Sequence, residues 1–176
     1  GEVIGNIDIA DVILENKAGT YDIGDINLTS HSAGNSHQMN LKSGFAGATF
    51  SGTSPLSSFV KDIVDISARK EMPALFRNSD FEWENDSYEF SFICHDLMDV
   101  LSFAVPGLYV ESGTSLVVNV SEDGLLKGEL KSGRIAFRKE YLKGLSASFD
   151  NADGTFTTEI TGKELKVSSI RLNDNI

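Results

Sequence analysis

Cys94 beside His95 is the place where a thiol and an imidazole adjoin, the pairing that lets a base activate a nucleophile. Neighbouring residues on a strand point to opposite faces, so an extended backbone here keeps the two apart and leaves Cys94 as a small core hydrophobe in line with Phe90 and Phe92. His31 and His37 could hold a metal with an acidic neighbour, but six residues of Ser-, Gly- and Asn-rich chain separate them, and an exposed loop is the simpler reading. Glu82, Glu84 and Asp86 share one side of an expected strand around Trp83. Paired acids there could do acid/base work, and a solvated face explains them more economically. Asp150-Asn151-Ala152-Asp153-Gly154 has the composition of a calcium loop without its spacing or terminal glutamate, which favours a hairpin turn. No phosphate-cradling glycine loop, nucleophile elbow or zincin helix is present. The expectation is a chain that is not an enzyme and has no catalytic residue, cofactor or metal.

What must position any site is a sheet. Apolar side chains alternate with wetter ones: Ile7 and Ile9, then Val12 and Leu14; Tyr21 and Ile23; and, in the opposite phase across Gly24-Asp25, Ile26 and Leu28. That change of phase predicts a bulge or turn. Met39 and Leu41 sit between Gln38, Asn40 and Lys42. The second half repeats the pattern with Tyr88, Phe90, Phe92 and Cys94; Leu116, Val118 and Val120; Ile135 and Phe137; Leu145, Ala147 and Phe149; Phe156, Thr158 and Ile160; and Leu165 with Val167. Turn signals fall at Glu122-Asp123-Gly124, Ser132-Gly133, Lys143-Gly144, Asp150 to Gly154 and Thr161-Gly162-Lys163. Strands this regular indicate an antiparallel meander.

Two interruptions read as helices. Ser54 suits an N-cap and Pro55 a first helical position, and Leu56, Phe59, Val60, Ile63 and Val64 recur at helical spacing, so a helix is expected from about Pro55 to Lys70, stopped by Pro73. A shorter one is expected from Asp96 to Ala104. Leu41-Lys42-Ser43-Gly44 returns as Leu130-Lys131-Ser132-Gly133 ahead of an apolar strand, which suggests an internal repeat. No low-complexity linker divides the chain, so residues 1–176 read as one β-rich domain. The start at Gly1 and the strand-like Ile170-Arg171-Leu172-Asn173 suggest a segment of a much larger protein.

The fold class expected is mainly β: an antiparallel curved sheet, groove-like, with one long and one short helix covering an edge or end. Fifteen Lys and Arg against 26 Asp and Glu give a net charge of −11. That balance argues against nucleic-acid partners, which need clustered cations, and against anionic headgroups. One cysteine excludes an internal disulfide, and no stretch is long and apolar enough for a helical membrane span.

Gly5-Asn6-Ile7-Asp8-Ile9-Ala10-Asp11-Val12, Gly19 to Leu28, Leu41 to Gly52 and Pro106 to Leu116 together resemble the Bacteroidetes branch of the translocation and assembly module family, TamB, within the AsmA-like repeating β-groove proteins. The resemblance implies a section of a periplasm-spanning envelope protein of a Gram-negative bacterium, anchored in the inner membrane. Its implied work is phospholipid transport to the outer membrane and outer-membrane protein assembly. Its implied partners are phospholipid acyl chains, an outer-membrane barrel-assembly protein and neighbouring repeats of the same chain. The family offers no catalytic residue to carry over. The helix expected from Pro55 departs from an uninterrupted groove and could plug it.

The residues expected to line either a lipid groove or a side-chain-filled core are Phe90, Phe92, Leu116, Val118, Val120, Ile135, Phe137, Leu145, Phe149, Phe156 and Ile160, all on one face. Two other readings stand beside the groove: a structural or protein-interaction β-module with a sealed core, and a carbohydrate-active β-sandwich using an acid pair such as Glu82 and Glu84.

Overall fold

The computed structural model describes the backbone of residues 2–71, 85–152 and 156–167, with side chains from residue 4 onward except over 64–71. Among these residues eleven strands form one open antiparallel sheet: β1 Glu2–Asn16, β2 Gly19–Ala33, β3 Ser36–Ser43, β4 Ala46–Gly52, β5 Tyr88–Cys94, β6 Leu108–Val110, β7 Ser115–Val120, β8 Leu126–Phe137, β9 Glu140–Asp150, β10 Thr157–Thr161 and β11 Glu164–Lys166. Helix α1 is Leu56–Glu71 and α2 is Met98–Ala104. The order across the sheet is β1-β2-β3-β4-β5-β7-β8-β9-β10, with β6 paired to the far end of β8 and β11 to the near end of β9. The curved, groove-like, mainly β fold with two helices is therefore the observed one.

Register decides which side chains share a face, because residues directly opposite in an antiparallel pair project together. One line of partners crosses nine strands: Ile7, Leu28, Leu41, Ala48, Phe92, Leu116, Leu130, Ala147 and Ile160. Every member is apolar. At about 4.8 Å per strand this ladder is roughly 38 Å long. Two residues along each strand lies a second line containing Met39, Phe50, Phe90, Val118, Gly128 and Phe149, and beyond it Gly52, Tyr88, Val120 and Leu126.

Helix α1 packs on these last two lines. Phe59 is buried with Phe50, Tyr88, Val118, Val120 and Leu126, while Leu56, Ile63, Met39, Phe90, Leu116, Phe149 and Phe156 close around them. The rings interlock, with Phe59 centred 5.6 Å from Phe50, 5.4 Å from Tyr88 and 5.6 Å from Phe90. Gly52 has no side chain because a Cβ there would sit 2.6 Å from the Tyr88 ring. The helix begins within a residue of its expected start; Pro73, like Trp83, Glu82 and Glu84, lies outside the described residues.

Helix α2 lies against β2 and β6, with Phe103 edge-on to Tyr21 at 5.8 Å and the Asp99 carboxylate accepting the Asp22 N–H at 3.2 Å. Asp96 accepts the Met98 N–H at 3.0 Å at its start. The expected phase change at Gly24 is a real irregularity: the β1–β2 register shifts around Val12, with Asp11 and Gly24 both at positive φ.

Several expectations are corrected. Ser132-Gly133 and Lys143-Gly144 are not turns but the interiors of β8 and β9. Gly133 makes room for the Glu111 carboxylate, 2.4 Å from where its Cβ would be, and Gly144, at φ 60°, kinks β9 where its neighbour changes from β10 to β11. The hairpin instead turns at Arg138-Lys139, with Arg138 at φ 57°, its N–H bonded to the Gly107 carbonyl at 2.7 Å and its guanidinium 5.1 Å above Phe137. The two Leu-Lys-Ser-Gly stretches also differ. Ser43 closes the β3–β4 turn by bonding both ways with Ala46, whereas Ser132 is buried mid-strand against Thr114, so the likeness is not a structural repeat.

Truncating Phe59 to Ala should cost about 3–5 kcal/mol of unfolding free energy, the usual range for a buried aromatic, while Val60→Ala on the exposed side of the same helix should stay within about 0.5 kcal/mol. Urea denaturation monitored by circular dichroism measures both.

Candidate functional site

The residues proposed for nucleophilic or metal chemistry are dispersed by the sheet. Cys94 is fully buried on the α1-bearing face, in the line Ala46, Cys94, Thr114 and Ser132, and burial pushes its thiol pKa up. His95 lies over Gly47 on the other face, 3.4 Å from the position a Cβ would take. His31 and His37 are not in a loop but in the β2–β3 hairpin, one residue out of phase. His31 shares the outer face with Gln38, and His37 bonds through Nδ1 to the Ser32 hydroxyl at 3.0 Å on the inner face. Among the described residues no three His, Cys, Asp or Glu side chains are grouped to hold a metal.

Of the acid trio, only Asp86 is described. Its carboxylate accepts the Thr53 hydroxyl at 2.9 Å and the Ser54 hydroxyl at 2.8 Å, and lies 3.1 Å from the Tyr88 hydroxyl. Tyr88 donates at 2.6 Å to Asp62 of α1. Burial first, and the Asp62 hydrogen bond second, hold the Tyr88 hydroxyl far above the ordinary tyrosine range. This network fastens α1 to the sheet with buried polar groups. Asp150 accepts the Ala152 N–H, while buried Asn151 ties the end of β9 to the β7–β8 turn through Leu126 and Gly124. The Asp150 to Gly154 stretch, whose residues 153–155 are outside the description, thus begins as a turn.

The groove candidates divide between the faces. Phe90, Phe92, Leu116, Val118, Val120, Leu145, Phe149 and Ile160 lie on the α1-bearing face, and Phe156 joins them with its ring 6.1 Å from Phe149. Ile135 and Phe137 do not. Along unbroken β8 the inward residues are Leu126, Gly128, Leu130, Ser132, Arg134 and Ala136, which turns Ile135 and Phe137 to the opposite side, where Phe137 is 43% exposed. A turn at Ser132-Gly133 would have reset the phase; a continuous strand cannot. Of the inward set, Phe50, Tyr88, Val118, Val120 and Leu126 are consumed by the core under α1 with Leu116 packed against them, whereas Leu28, Leu41, Ala48, Phe92, Leu130 and Ala147 remain half-buried outside it.

The opposite face is mostly polar and is hollowed, with Ile4 and Val117 as apolar members of the hollow. Asn6, Thr29, His31, Gln38, Asn40, Thr49, Ser51, Glu89, Ser91 and Asn119 line a depression of about 830 Å³ spanning β1 to β7. Thr49 and Ser91 exchange a 2.7 Å hydroxyl contact across it.

Sequence reasoning missed a cluster at the far end of the inward face. Arg134, Lys143 and Lys166 gather on Tyr141, with the guanidinium 5.1 Å and the ammonium groups 4.9 and 5.9 Å from its ring centre. Arg134 also stands 5.8 Å from the Tyr109 ring. Glu164 takes the Lys143 ammonium at 2.7 Å and the Tyr141 hydroxyl. That pairing raises the Lys143 and Tyr141 pKa values and lowers that of Glu164. The signal was two-residue spacing of Arg134 from Ser132 and Leu130, legible only once β8 is known to be continuous.

Comparison with protein-family models, curated proteins and solved structures returned no match.

Two outcomes test this arrangement. Cys94 should resist iodoacetamide at pH 7.5 in the folded chain and react once urea unfolds it, read by intact mass. Tyr88→Phe should lower stability by about 1–3 kcal/mol, because Asp62 and Asp86 lose a buried hydroxyl. The tyrosine's folded pKa lies above its unfolded value near 10, so its contribution is present below pH ~10 and fades as pH rises further. The gap between wild type and Tyr88→Phe should therefore narrow above pH ~10 in thermal melts.

Proposed function

We propose that this chain is a non-enzymatic section of a TamB-like envelope protein, contributing an apolar strip along which phospholipid acyl chains are shielded between membranes. The observation that carries this reading is the nine-strand apolar ladder from Ile7 to Ile160, of which, among the described residues, Leu28, Leu41, Ala48, Phe92, Leu130 and Ala147 lie outside the helix-capped core. An acyl chain loses about 0.8 kcal/mol of favourable burial for each methylene returned to water, so a carrier needs unbroken apolar contact along its path. A ladder in which every strand contributes one apolar side chain supplies that, and the polar opposite face stays wetted.

The sheet's open ends fit continuation with neighbouring repeats. The outer edge of β1 is unpaired among the described residues, and Ile7 on it is 53% exposed; at the other side Ile160 and Leu165 are exposed on β10 and β11. The stretch of β1 ahead of the irregularity at Asp11 carries no Lys, Arg or Pro to block edge pairing. The barrel-assembly partner, the inner-membrane anchor and the periplasmic setting follow from the resemblance alone.

A second reading has its own observation in favour. Helix α1 seals the middle of the inward face, as a structural or protein-interaction module would require. The two separate on one measurement. Incubated with fluorescent phosphatidylethanolamine and passed over a sizing column, the chain should retain lipid, and Leu41→Glu, on the ladder but outside the helix-capped core, should cut retention at least fivefold while leaving the circular dichroism spectrum unchanged. Absence of co-elution favours the sealed module.

A further inference from the structure

We propose that Arg134, Lys143 and Lys166, seated on Tyr141 and Tyr109, form a binding site for a phosphate group. In a chain of net charge −11, three cations converge within 6 Å of one aromatic ring with a single carboxylate, Glu164, among them. Glu164 is engaged by Lys143 and the Tyr141 hydroxyl. Among the described residues no carboxylate pairs with Arg134 or Lys166. The cluster is open to solvent, which screens part of the repulsion between its cations; a bound anion would relieve the remainder that Glu164 and the ring face leave. Arg134 brings the planar fork that matches phosphate oxygens in pairs, and the two lysines bring mobile point charges. A phosphate carrying one or two negative charges would neutralise the surplus.

The position of the cluster gives it a meaning that rests on the lipid-shielding reading. Arg134 lies on the same face of β8 as Leu130 of the apolar ladder, four residues further on, or roughly 13 Å at strand rise. Ser132 and Leu145, opposite each other, occupy the step between. The inward face thus grades from the helix-covered core, through the open apolar ladder, to a cationic rim bearing tyrosines. An amphiphile with an apolar tail and a phosphate head matches that gradient in the order it presents. The positive rim is local, and leaves the overall acidic balance intact.

The test compares two lipids with identical acyl chains, fluorescent phosphatidylglycerol and fluorescent diacylglycerol, and adds inorganic phosphate as a free anion. Wild type should retain phosphatidylglycerol at least tenfold better than diacylglycerol. R134Q/K143Q/K166Q should abolish that preference without changing diacylglycerol retention, while K127Q/K131Q on the other face of β8 should keep it. Phosphate titration should shift the amide resonances of Arg134, Tyr141 and Lys143 in wild type and not in the triple variant. Equal retention of the two lipids by wild type overturns the headgroup assignment. If neither lipid is retained, the shielding function fails, and the phosphate titration alone then decides the site: saturable shifts at the cluster uphold it and their absence overturns it.

Discussion

Antiparallel register is the constraint from which the rest of this structure follows. Because opposite residues share a face and successive residues alternate, one fixed alignment determines the placement of every side chain from β1 to β10. The alignment observed puts Ile7, Leu28, Leu41, Ala48, Phe92, Leu116, Leu130, Ala147 and Ile160 in one line. A slip of one residue anywhere in the centre would put Ser91, Ser115 or Lys131 into that line. The apolar ladder is therefore both a consequence of register and a large part of what enforces it.

Helix α1 turns this sheet into a folded unit. An open sheet with one oily face is unstable alone, and Leu56, Phe59 and Ile63 bury the widest part of that face. The Asp62, Tyr88 and Asp86 network adds direction to the packing. Its hydrogen bonds are satisfied only when the helix sits over β5 with the start of α1 beside Thr53 and Ser54. The helix covers two lines of the inward face and leaves the neighbouring ladder half-buried. That division allows one surface to combine a solid core with a half-buried apolar strip.

The polar and charged residues are distributed with the same economy. Amides and hydroxyls, with Glu89 and His31 among them, occupy most of the hollow of the outer face, whereas cations collect where the inward face runs past the ladder on β8, β9 and β11. Glycines absorb the strain this arrangement imposes. Gly133 yields space to Glu111, and Gly144 lets β9 exchange one edge partner for another without ending the strand.

Alternation by itself determined much of the protein: the mainly β class, the strands around Phe90, Val118 and Phe149, the amphipathic helix after Pro55, the irregularity at Gly24, and the separation of Cys94 from His95. These are short-range properties, set by side-chain periodicity, N-terminal helix signals and the two-residue repeat of an extended backbone. Tertiary structure alone decided where strands continue through glycine. Ser132-Gly133 and Lys143-Gly144 look like turns because glycine is permissive, but cross-strand partners hold both positions extended or merely kinked, and this sends Ile135 and Phe137 outward and Arg134 inward. The meeting of Arg134, Lys143, Lys166 and two tyrosines gathers residues as far apart in sequence as Tyr109 and Lys166 through a chain of strand pairs, β6 with β8, β8 with β9 and β9 with β11. No local pattern carries that information, because the contact is created by register across β6, β8, β9 and β11 rather than by spacing along the chain.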